Sequence, residues 1–168
     1  MPSAWQIIPS ESKDWRTTDG ITNLFLATDL EKPKPGPRTA LVRIRAAALN
    51  ARDMMVVARD PIYQSFASPN LSPCADGAGE VEQVGEGSIW RPGQRVVLAP
   101  CTWTHGDPGT LLEARGLGAA DYEGTLREYA VMVGISMSSI YSIRPATLVW
   151  CVQTALTNFI APYSQTIC

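Results

Sequence analysis

Residues that could bind a metal or act as a nucleophile are few in this chain and lie far apart. The four cysteines occupy positions 74, 101, 151 and 168 without forming a CxxC pair, and His105 is the only histidine. Zinc sites usually place their ligands in close pairs, so this spacing argues against a structural zinc site. His105 follows Cys101 by four positions, and the two residues could form half of a metal site. A surface histidine is the simpler interpretation, and we favour it.

Two further side chains could act on a substrate. Cys74 lies two residues before Asp76, and an acidic neighbour raises the pKa of a thiol, which predicts a weak nucleophile. Trp103 could stack on a flat substrate or cover the base of the surrounding loop, residues 101–121. Loops of that length in a compact domain are usually functional or mobile.

A group of three polar residues, Asn50, Arg52 and Asp53, follows the most regular strand pattern of the chain. Asparagine is common where a chain turns after a strand, so Asn50 could have a purely structural use. Asp53 is expected to cap the helix that follows, by accepting a hydrogen bond from a backbone N–H. Arg52 could contact a cofactor phosphate or remain solvated, and we expect it to be solvated.

The elements that must position these residues are mainly strands. Residues 39–46 alternate between apolar and polar side chains with a period of two, which predicts a half-buried strand. Further strands are predicted around residues 5–8, 21–27, 78–84, 94–99 and 124–132, and a short helix over residues 53–58. The glycines of residues 85–87 and 91–93 predict two sharp turns between the central strands.

Residues 32–38 contain three prolines, in the sequence Lys-Pro-Lys-Pro-Gly-Pro-Arg. Proline favours an extended backbone, so this segment could be a proline-rich ligand or a stiff approach to the strand that begins at residue 39. We expect the approach, because the strand follows at once.

Four short motifs occur in a characteristic order. They are Ala-Ala-Leu-Asn-Ala-Arg-Asp at 47–53, Asp-Gly-Ala-Gly-Glu-Val at 76–81 with Val-Gly-Glu-Gly at 84–87, Arg-Pro-Gly-Gln-Arg-Val at 91–96, and Glu-Gly-Thr-Leu-Arg-Glu-Tyr-Ala at 123–130. Together they resemble the catalytic domain of medium-chain dehydrogenases/reductases, over roughly residues 20–132. The pattern is most similar to the zinc-independent quinone-oxidoreductase branch and its NAD(P)-dependent alcohol-dehydrogenase-like relatives. The resemblance implies a mostly β fold, a GroES-like, partly open β-barrel with one or two short helices.

In zinc-dependent members of that family, a cysteine and a histidine of this domain hold the catalytic metal. Matching the motifs places the cysteine position on Asn50 and the histidine position on Ala75. Neither an amide nor a methyl group replaces a thiolate or an imidazole as a zinc ligand. The cysteine-rich loop of the structural zinc is missing as well, since Cys101 stands alone in that region. The resemblance therefore implies a protein without zinc.

The resemblance also implies a reaction. It is the NAD(P)H-dependent reduction of a small carbonyl compound, such as an enone, a quinone or the aldehyde of an alcohol/aldehyde pair. The cofactor of a full-length relative would be NADP or NAD. Asn50 becomes the catalytic candidate, because residues at its position can donate a hydrogen bond to a carbonyl oxygen that gains negative charge. Asn50, Arg52 and Asp53 are the cofactor-binding candidates. The structural use of Asn50 as a turn or cap residue stays open beside this role.

The last part of the chain departs from the family pattern. The resembled proteins continue with a proline-containing strand and a helix into a Rossmann domain, and neither those landmarks nor a GxGxxG motif occurs here. We expect a GroES-like domain over residues 1–132 and a divergent tail over 133–168, with a short helix at 148–160. The tail could reflect truncation, splicing or translated non-coding sequence. Without a Rossmann domain we expect no bound cofactor and an inactive chain, the alternative function being a non-catalytic fragment or interaction module.

Composition narrows the class of partner. The formal net charge of −2 gives no electrostatic case for binding nucleic acid or an anionic membrane. The sequence has no apolar run long enough for a transmembrane helix and no visible signal peptide. We therefore expect a cytoplasmic protein with reduced thiols, and the sequence does not indicate its oligomeric state.

Overall fold

The structure is a computed structural model that describes residues 1–61, 68–98, 116–133 and 137–139. Its strands are β1 (Ala4–Ile7), β2 (Leu24–Ala27), β3 (Thr39–Ala48), β4 (Asp76–Val84), β5 (Arg95–Leu98), β6 (Tyr129–Val133) and β7 (Met137–Ser139). A 3₁₀ helix, Thr18–Asn23, precedes β2, and the α-helix α1, Ala51–Val57, follows β3. His105, Trp103, Cys101 and the helix predicted at 148–160 lie outside the described residues.

The main sheet has the antiparallel strand order β6-β3-β4-β5-β7. Its two edge strands, β6 and β7, are joined by only the three residues 134–136. In a flat sheet these edges would be about 19 Å apart, at about 4.8 Å per strand. The chain from 133 to 137 can span at most about 14 Å. The sheet must therefore curl, and the predicted partly open barrel is confirmed.

The interior of the barrel is apolar. Every strand of the main sheet contributes buried side chains, and Trp90 and Leu117 close the cluster from the connecting segments. The strand members of the cluster are Ala40, Val42, Val81, Val96, Leu98, Ala130, Met132 and Met137. Several of them recur at every second position, as the period of a strand requires. The alternation that predicted β3 is therefore produced by this core.

A smaller unit packs beside the barrel. Strands β1 and β2 pair with each other, and Trp5 N–H donates to Leu126 O at 2.9 Å, which attaches β1 to the segment before β6. A second apolar cluster of Ile7, Val56, Val57 and Leu71 joins β1 to α1. The helix is thereby fixed between β1 and the barrel.

Several predicted elements have different boundaries in the structure, and a hydrogen bond explains the difference in three of them. Residues 21–23 belong to the 3₁₀ helix and not to a strand, because the buried Asn23 donates through Nδ2 to Val57 O at 3.1 Å. Helix α1 begins two residues before the predicted residue 53, because Asn50 is its N-cap. Residues 124–128 precede β6 without joining it, since the N–H groups of Gly124 and Thr125 donate to Ser72 O and Cys74 O.

The proline-rich segment 32–38 leads directly into β3, as predicted. Lys32 pairs with Glu82 on β4 and lies 4.4 Å from the centre of the Tyr129 ring. At the far end, a Cβ on Gly85 would lie 1.7 Å from Gly36 O. The segment is therefore packed against the barrel and does not project as a free ligand.

The domain boundary expected at residue 132 stays a prediction. Strand β7 lies beyond that boundary and pairs with β5, with Met137 opposite Leu98. No helix in the described ranges is long and apolar enough to cross a membrane.

Candidate functional site

The ends of three elements meet at Asn50. Strands β3 and β4 pair until Ala48 lies opposite Asp76. Asn50 follows two residues later as the N-cap of α1, and its Nδ2 donates a hydrogen bond to Asp76 Oδ2. A carboxylate can only accept, so this contact places the amide nitrogen, and not the amide oxygen, toward Asp76.

Asn50 and Asp53 form a capping box at the start of α1. The Asn50 N–H donates to Asp53 Oδ2 at 2.8 Å, and the Asn50 side chain faces the Asp53 N–H in return. Such boxes satisfy two backbone groups that the helix leaves without partners. The capping role predicted for Asp53 is confirmed, and so is the structural use of Asn50.

Asp53 is 2% exposed, and burial raises the pKa of its carboxyl above the ordinary value of 3.8. The hydrogen bond from Asn50 N–H and the charge of Arg52 oppose that rise in pKa, whereas the charge of Asp76 adds to it. Oδ1 of Asp53 has no hydrogen-bond partner within the described residues. Asp53 therefore stabilises the start of α1 by a hydrogen bond with Asn50, and it is too deeply buried to contact a ligand.

Arg52 is not solvated, contrary to the expectation from sequence. Its side chain is 24% exposed, Nη1 donates to Leu117 O at 2.9 Å, and the same atom lies 3.6 Å from Asp53 Oδ1. Gly116 leaves the room for this contact, since a Cβ there would lie 2.6 Å from Nη2. Arg52 therefore ties the segment at residues 116–117 to α1.

Cys74 is buried beneath the site, and its Sγ donates to Ala48 O at 3.0 Å. Burial is the main cause that raises the pKa of this thiol to about 11, and the charges of Asp53 and Asp76 add to it. The raised thiol pKa predicted from the acidic neighbour is thus present, but desolvation dominates it. A protonated, buried thiol is a poor nucleophile at neutral pH.

Two residues of the site were not recognised as such from the sequence. Asp76 was noticed only as a neighbour of Cys74, although its carboxylate contacts Asn50. Thr125 donates through Oγ1 to Asp76 O at 2.8 Å and is buried. The motifs containing both residues were visible, but their contacts depend on strand register and on a connection across 49 positions.

The side-chain group of the site that can bind a substrate is the Asn50 carboxamide. Its Nδ2 carries two hydrogens, and Asp76 accepts one of them. Across residues 1–61, 68–98, 116–133 and 137–139, no second acceptor is bonded to Nδ2. Asn50 is half-buried, and the neighbouring Leu49 is 58% exposed. The site can therefore offer one oriented N–H donor beside an apolar surface.

The two positions expected to bind zinc in related enzymes do not fit that metal. Asn50 presents an amide nitrogen already bonded to Asp76, and the side chain of Ala75 is a methyl group. In the part of the chain that is described, no group of three or more His, Cys, Asp or Glu side chains could hold a metal ion. The absence of zinc from the protein in solution stays a prediction.

A shallow groove lies elsewhere on the surface, between β1, β3 and residues 125–128. Trp5, Leu26 and Ile44 form its apolar part, and Arg45 and Glu128 stand among its polar residues. Asn50 and Asp76 do not line it, but Thr125, which donates to Asp76 O, does, so the groove adjoins the candidate site without containing its donor.

Comparison with known proteins identifies the domain. The family model of the alcohol dehydrogenase GroES-like domain matches residues 36–138, which is more than half of the chain. A zinc-type alcohol dehydrogenase-like protein of Leptosphaeria maculans is 39% identical over 85 residues, covering 47% of this chain and 22% of that protein. A trans-enoyl reductase of Acremonium sp. is 41% identical over 75 residues, covering 45% of this chain and 17% of that protein.

Solved structures show the same fold. A crotonyl-CoA carboxylase/reductase in complex with NADP matches with a TM-score of 0.60 at 21% identity, over 82% of this chain and 36% of that chain. The present chain spans about a fifth of the length of the curated relatives named above.

Proposed function

Because this chain belongs to the alcohol dehydrogenase GroES-like domain family, within the medium-chain dehydrogenases/reductases, we propose that it is the catalytic-domain part of an NAD(P)H-dependent oxidoreductase. The proposed reaction is reduction of a small carbonyl compound by hydride transfer without catalytic zinc. The names of the relatives, an alcohol dehydrogenase-like protein and a trans-enoyl reductase, support this class of reaction.

The observation that carries the proposal is the held N–H donor of Asn50. Hydride addition to an enone, quinone or aldehyde builds negative charge on the carbonyl oxygen. A donor that is already fixed stabilises that charge without reorganising during the reaction. Asn50 has such a hydrogen on Nδ2, because its other N–H is engaged by Asp76 and its backbone by Asp53.

The surroundings of Asn50 favour an uncharged substrate. Asp76 and the buried Asp53 are both acidic, and Arg52 donates to Leu117 O and lies beside Asp53. An anionic group next to the reacting carbonyl would meet these carboxylates. The exposed Leu49 offers apolar contact to the carbon skeleton of an enone or quinone.

NADP or NAD would supply the hydride when bound. Among the three candidate cofactor-binding residues, Asn50 has an N–H that no acceptor in the described part of the chain engages, and this N–H fits a carbonyl or carboxamide acceptor. Arg52 and Asp53 support Asn50 indirectly. Arg52 donates a hydrogen bond to Leu117 O, and Asp53 accepts one from the Asn50 N–H at the start of α1. Tight dinucleotide binding also needs a glycine-rich turn at a helix N-terminus. The 168 residues contain no GxGxxG, so we expect no saturable NADPH binding to this chain by itself.

Two variants of Asn50 test the role of the donor. They are made in a chimera that joins residues 1–139 to the dinucleotide-binding half of a close relative. The segment taken from this chain ends at Ser139 because it then includes β7, which completes the sheet. Asn50→Ala removes both the donor and the N-cap, whereas Asn50→Ser keeps a good N-cap residue and removes the amide. Both variants should lower kcat by about 10- to 1000-fold if Asn50 stabilises the oxyanion.

The free energy of unfolding separates the two uses of Asn50. Loss of the cap in Asn50→Ala should cost about 0.5–2 kcal/mol, and Asn50→Ser should cost less. If both variants keep kcat within about twofold of the parent chimera, Asn50 is only a cap and the proposed donor role is wrong.

A further inference from the structure

Asp76 accepts a hydrogen bond from Nδ2 of Asn50, but its own position is set by other contacts. It is the first residue of β4, and its backbone pairs with Ala48 at the end of β3. Its carbonyl oxygen accepts a hydrogen bond from Thr125 Oγ1 at 2.8 Å. Thr125 is buried and fits closely over Gly77, where a Cβ would lie 2.7 Å from Thr125 Cγ2. The main chain of Asp76 is therefore fixed by two neighbouring segments.

The two carboxamide ends of Asn50 face chemically opposite neighbours. On one side lies the Asp53 N–H, which can only donate, and on the other lies the Asp76 carboxylate, which accepts when ionised. The terminal torsion of asparagine is broad and nearly two-fold, so the side chain alone does not choose between its two orientations. The Asp53 N–H also donates to Asn50 O at 3.0 Å, so the contact with Asp76 is the stronger constraint, and only the orientation with oxygen toward Asp53 and nitrogen toward Asp76 avoids placing donor against donor and acceptor against acceptor.

We infer that Asp76 is a positioning residue, which holds the Asn50 carboxamide so that one Nδ2 hydrogen is directed away from the protein interior for an incoming oxygen. The inference rests on the proposed function of Asn50 as a donor. It assigns Asp76 a role in orientation, through hydrogen bonding, and not a role in contacting substrate. An acceptor of the same shape without charge should therefore serve as well.

The test is nuclear magnetic resonance of the 168-residue chain. In the wild type, the two Asn50 side-chain N–H signals should be well separated, and a nuclear Overhauser contact should join them to the Asp76 Hβ atoms. In Asp76→Ala and Asp76→Leu, the separation should fall to that of a free asparagine amide, whose two hydrogens remain inequivalent, and exchange of the bonded hydrogen should accelerate about tenfold or more, as expected for loss of a bond to a charged acceptor. Asp76→Asn, which keeps an acceptor oxygen, should preserve the wild-type pattern.

Glu80→Gln is the matched control. Glu80 lies on the same strand, is half-buried with a side chain that is 45% exposed, and contacts Arg45 at 3.6 Å, so its replacement should leave the Asn50 signals unchanged. Unchanged Asn50 signals in a folded Asp76→Ala or Asp76→Leu chain would overturn the inference. So would the lack of a wild-type contact between Asn50 and Asp76, a measurement that needs no variant to fold. If the signals respond as expected while Asn50→Ala leaves the chimera's rate unchanged, Asp76 positions a cap residue and the proposed function alone fails.

Discussion

Replacing Asp53 should destabilise the fold by an amount that depends on whether an acceptor remains. In Asp53→Ala, the Asn50 N–H that now donates to Oδ2 at 2.8 Å loses its partner at the start of α1. Hydrogen bonds to charged groups contribute about 1.5–3 kcal/mol, and because this bond is only part-buried, water can replace part of it in the variant. Removing a buried charge offsets part of this loss. We expect a net loss of about 2 kcal/mol in the free energy of unfolding at pH 7.

Asp53→Asn is the matched variant, because it keeps an oxygen to accept from Asn50 N–H and removes the charge. Its stability relative to the wild type should change with pH in a defined direction. The folded pKa of Asp53 is raised above 3.8 by burial. The stability that the buried Asp53 carboxyl contributes is therefore fully present below about pH 3.8, the pKa of the unfolded chain. This contribution is lost as the pH rises through the higher pKa of the folded state. Each unit of raised pKa corresponds to about 1.4 kcal/mol.

Urea unfolding of the three proteins at pH 4 and pH 7 measures both effects. Asp53→Asn should gain stability relative to the wild type between pH 4 and pH 7. At pH 7, Asp53→Ala should be the least stable of the three. Two results would refute the reasoning: an Asp53→Ala chain as stable as the wild type, or an Asp53→Asn chain that loses relative stability as the pH rises.

Two other predictions concern the barrel and the metal. Gly79→Ala should lower the free energy of unfolding by about 1–3 kcal/mol, because its Cβ would lie 2.4 Å from Arg43 O and 2.7 Å from Val42 Cγ1. Gly36→Ala is the control, since a Cβ at Gly36 meets no atom within 4 Å, and equal losses in both urea titrations would contradict the packing argument. Metal analysis of protein purified without chelator should find no stoichiometric zinc, because Asn50 and Ala75 occupy the expected ligand positions. One tightly held zinc per chain would show that this argument fails.

The sequence was most informative where a single periodic pattern decides the structure. Strand β3 was predicted from its alternation because its apolar positions fill one continuous core. The helix was predicted with a later start, since its N-cap is set by Asn50 and its contacts with Asp53 and Asp76. Residues 21–27 are mostly apolar and suited to a strand, but at residues 21–23 the buried contact of Asn23 with Val57 O stabilises a 3₁₀ helix.

The residues of the site were easier to predict than their partners. Asn50 and Asp53 are three positions apart, so their capping box follows from local chemistry. The Asn50–Asp76 bond depends on the register of β3 against β4, which contains irregularities between Leu41 and Val42 and between Ile44 and Ala46. The contact of Arg52 with Leu117 O joins residues 65 positions apart. No local pattern in the sequence encodes such a contact.

The measurement that tests the central claim most directly is the transfer of deuterium from labelled NADPH to an enone by the chimera that contains residues 1–139. Mass spectrometry of the product should find a single deuterium from the cofactor, and the unfused 168-residue chain should give no labelled product. If the chimera folds and binds NADPH but transfers no deuterium to enone, quinone or aldehyde, this domain does not carry the catalytic half of the proposed reductase. Labelled product from the unfused chain would contradict the account from the other side, because these residues would then bind the cofactor by themselves.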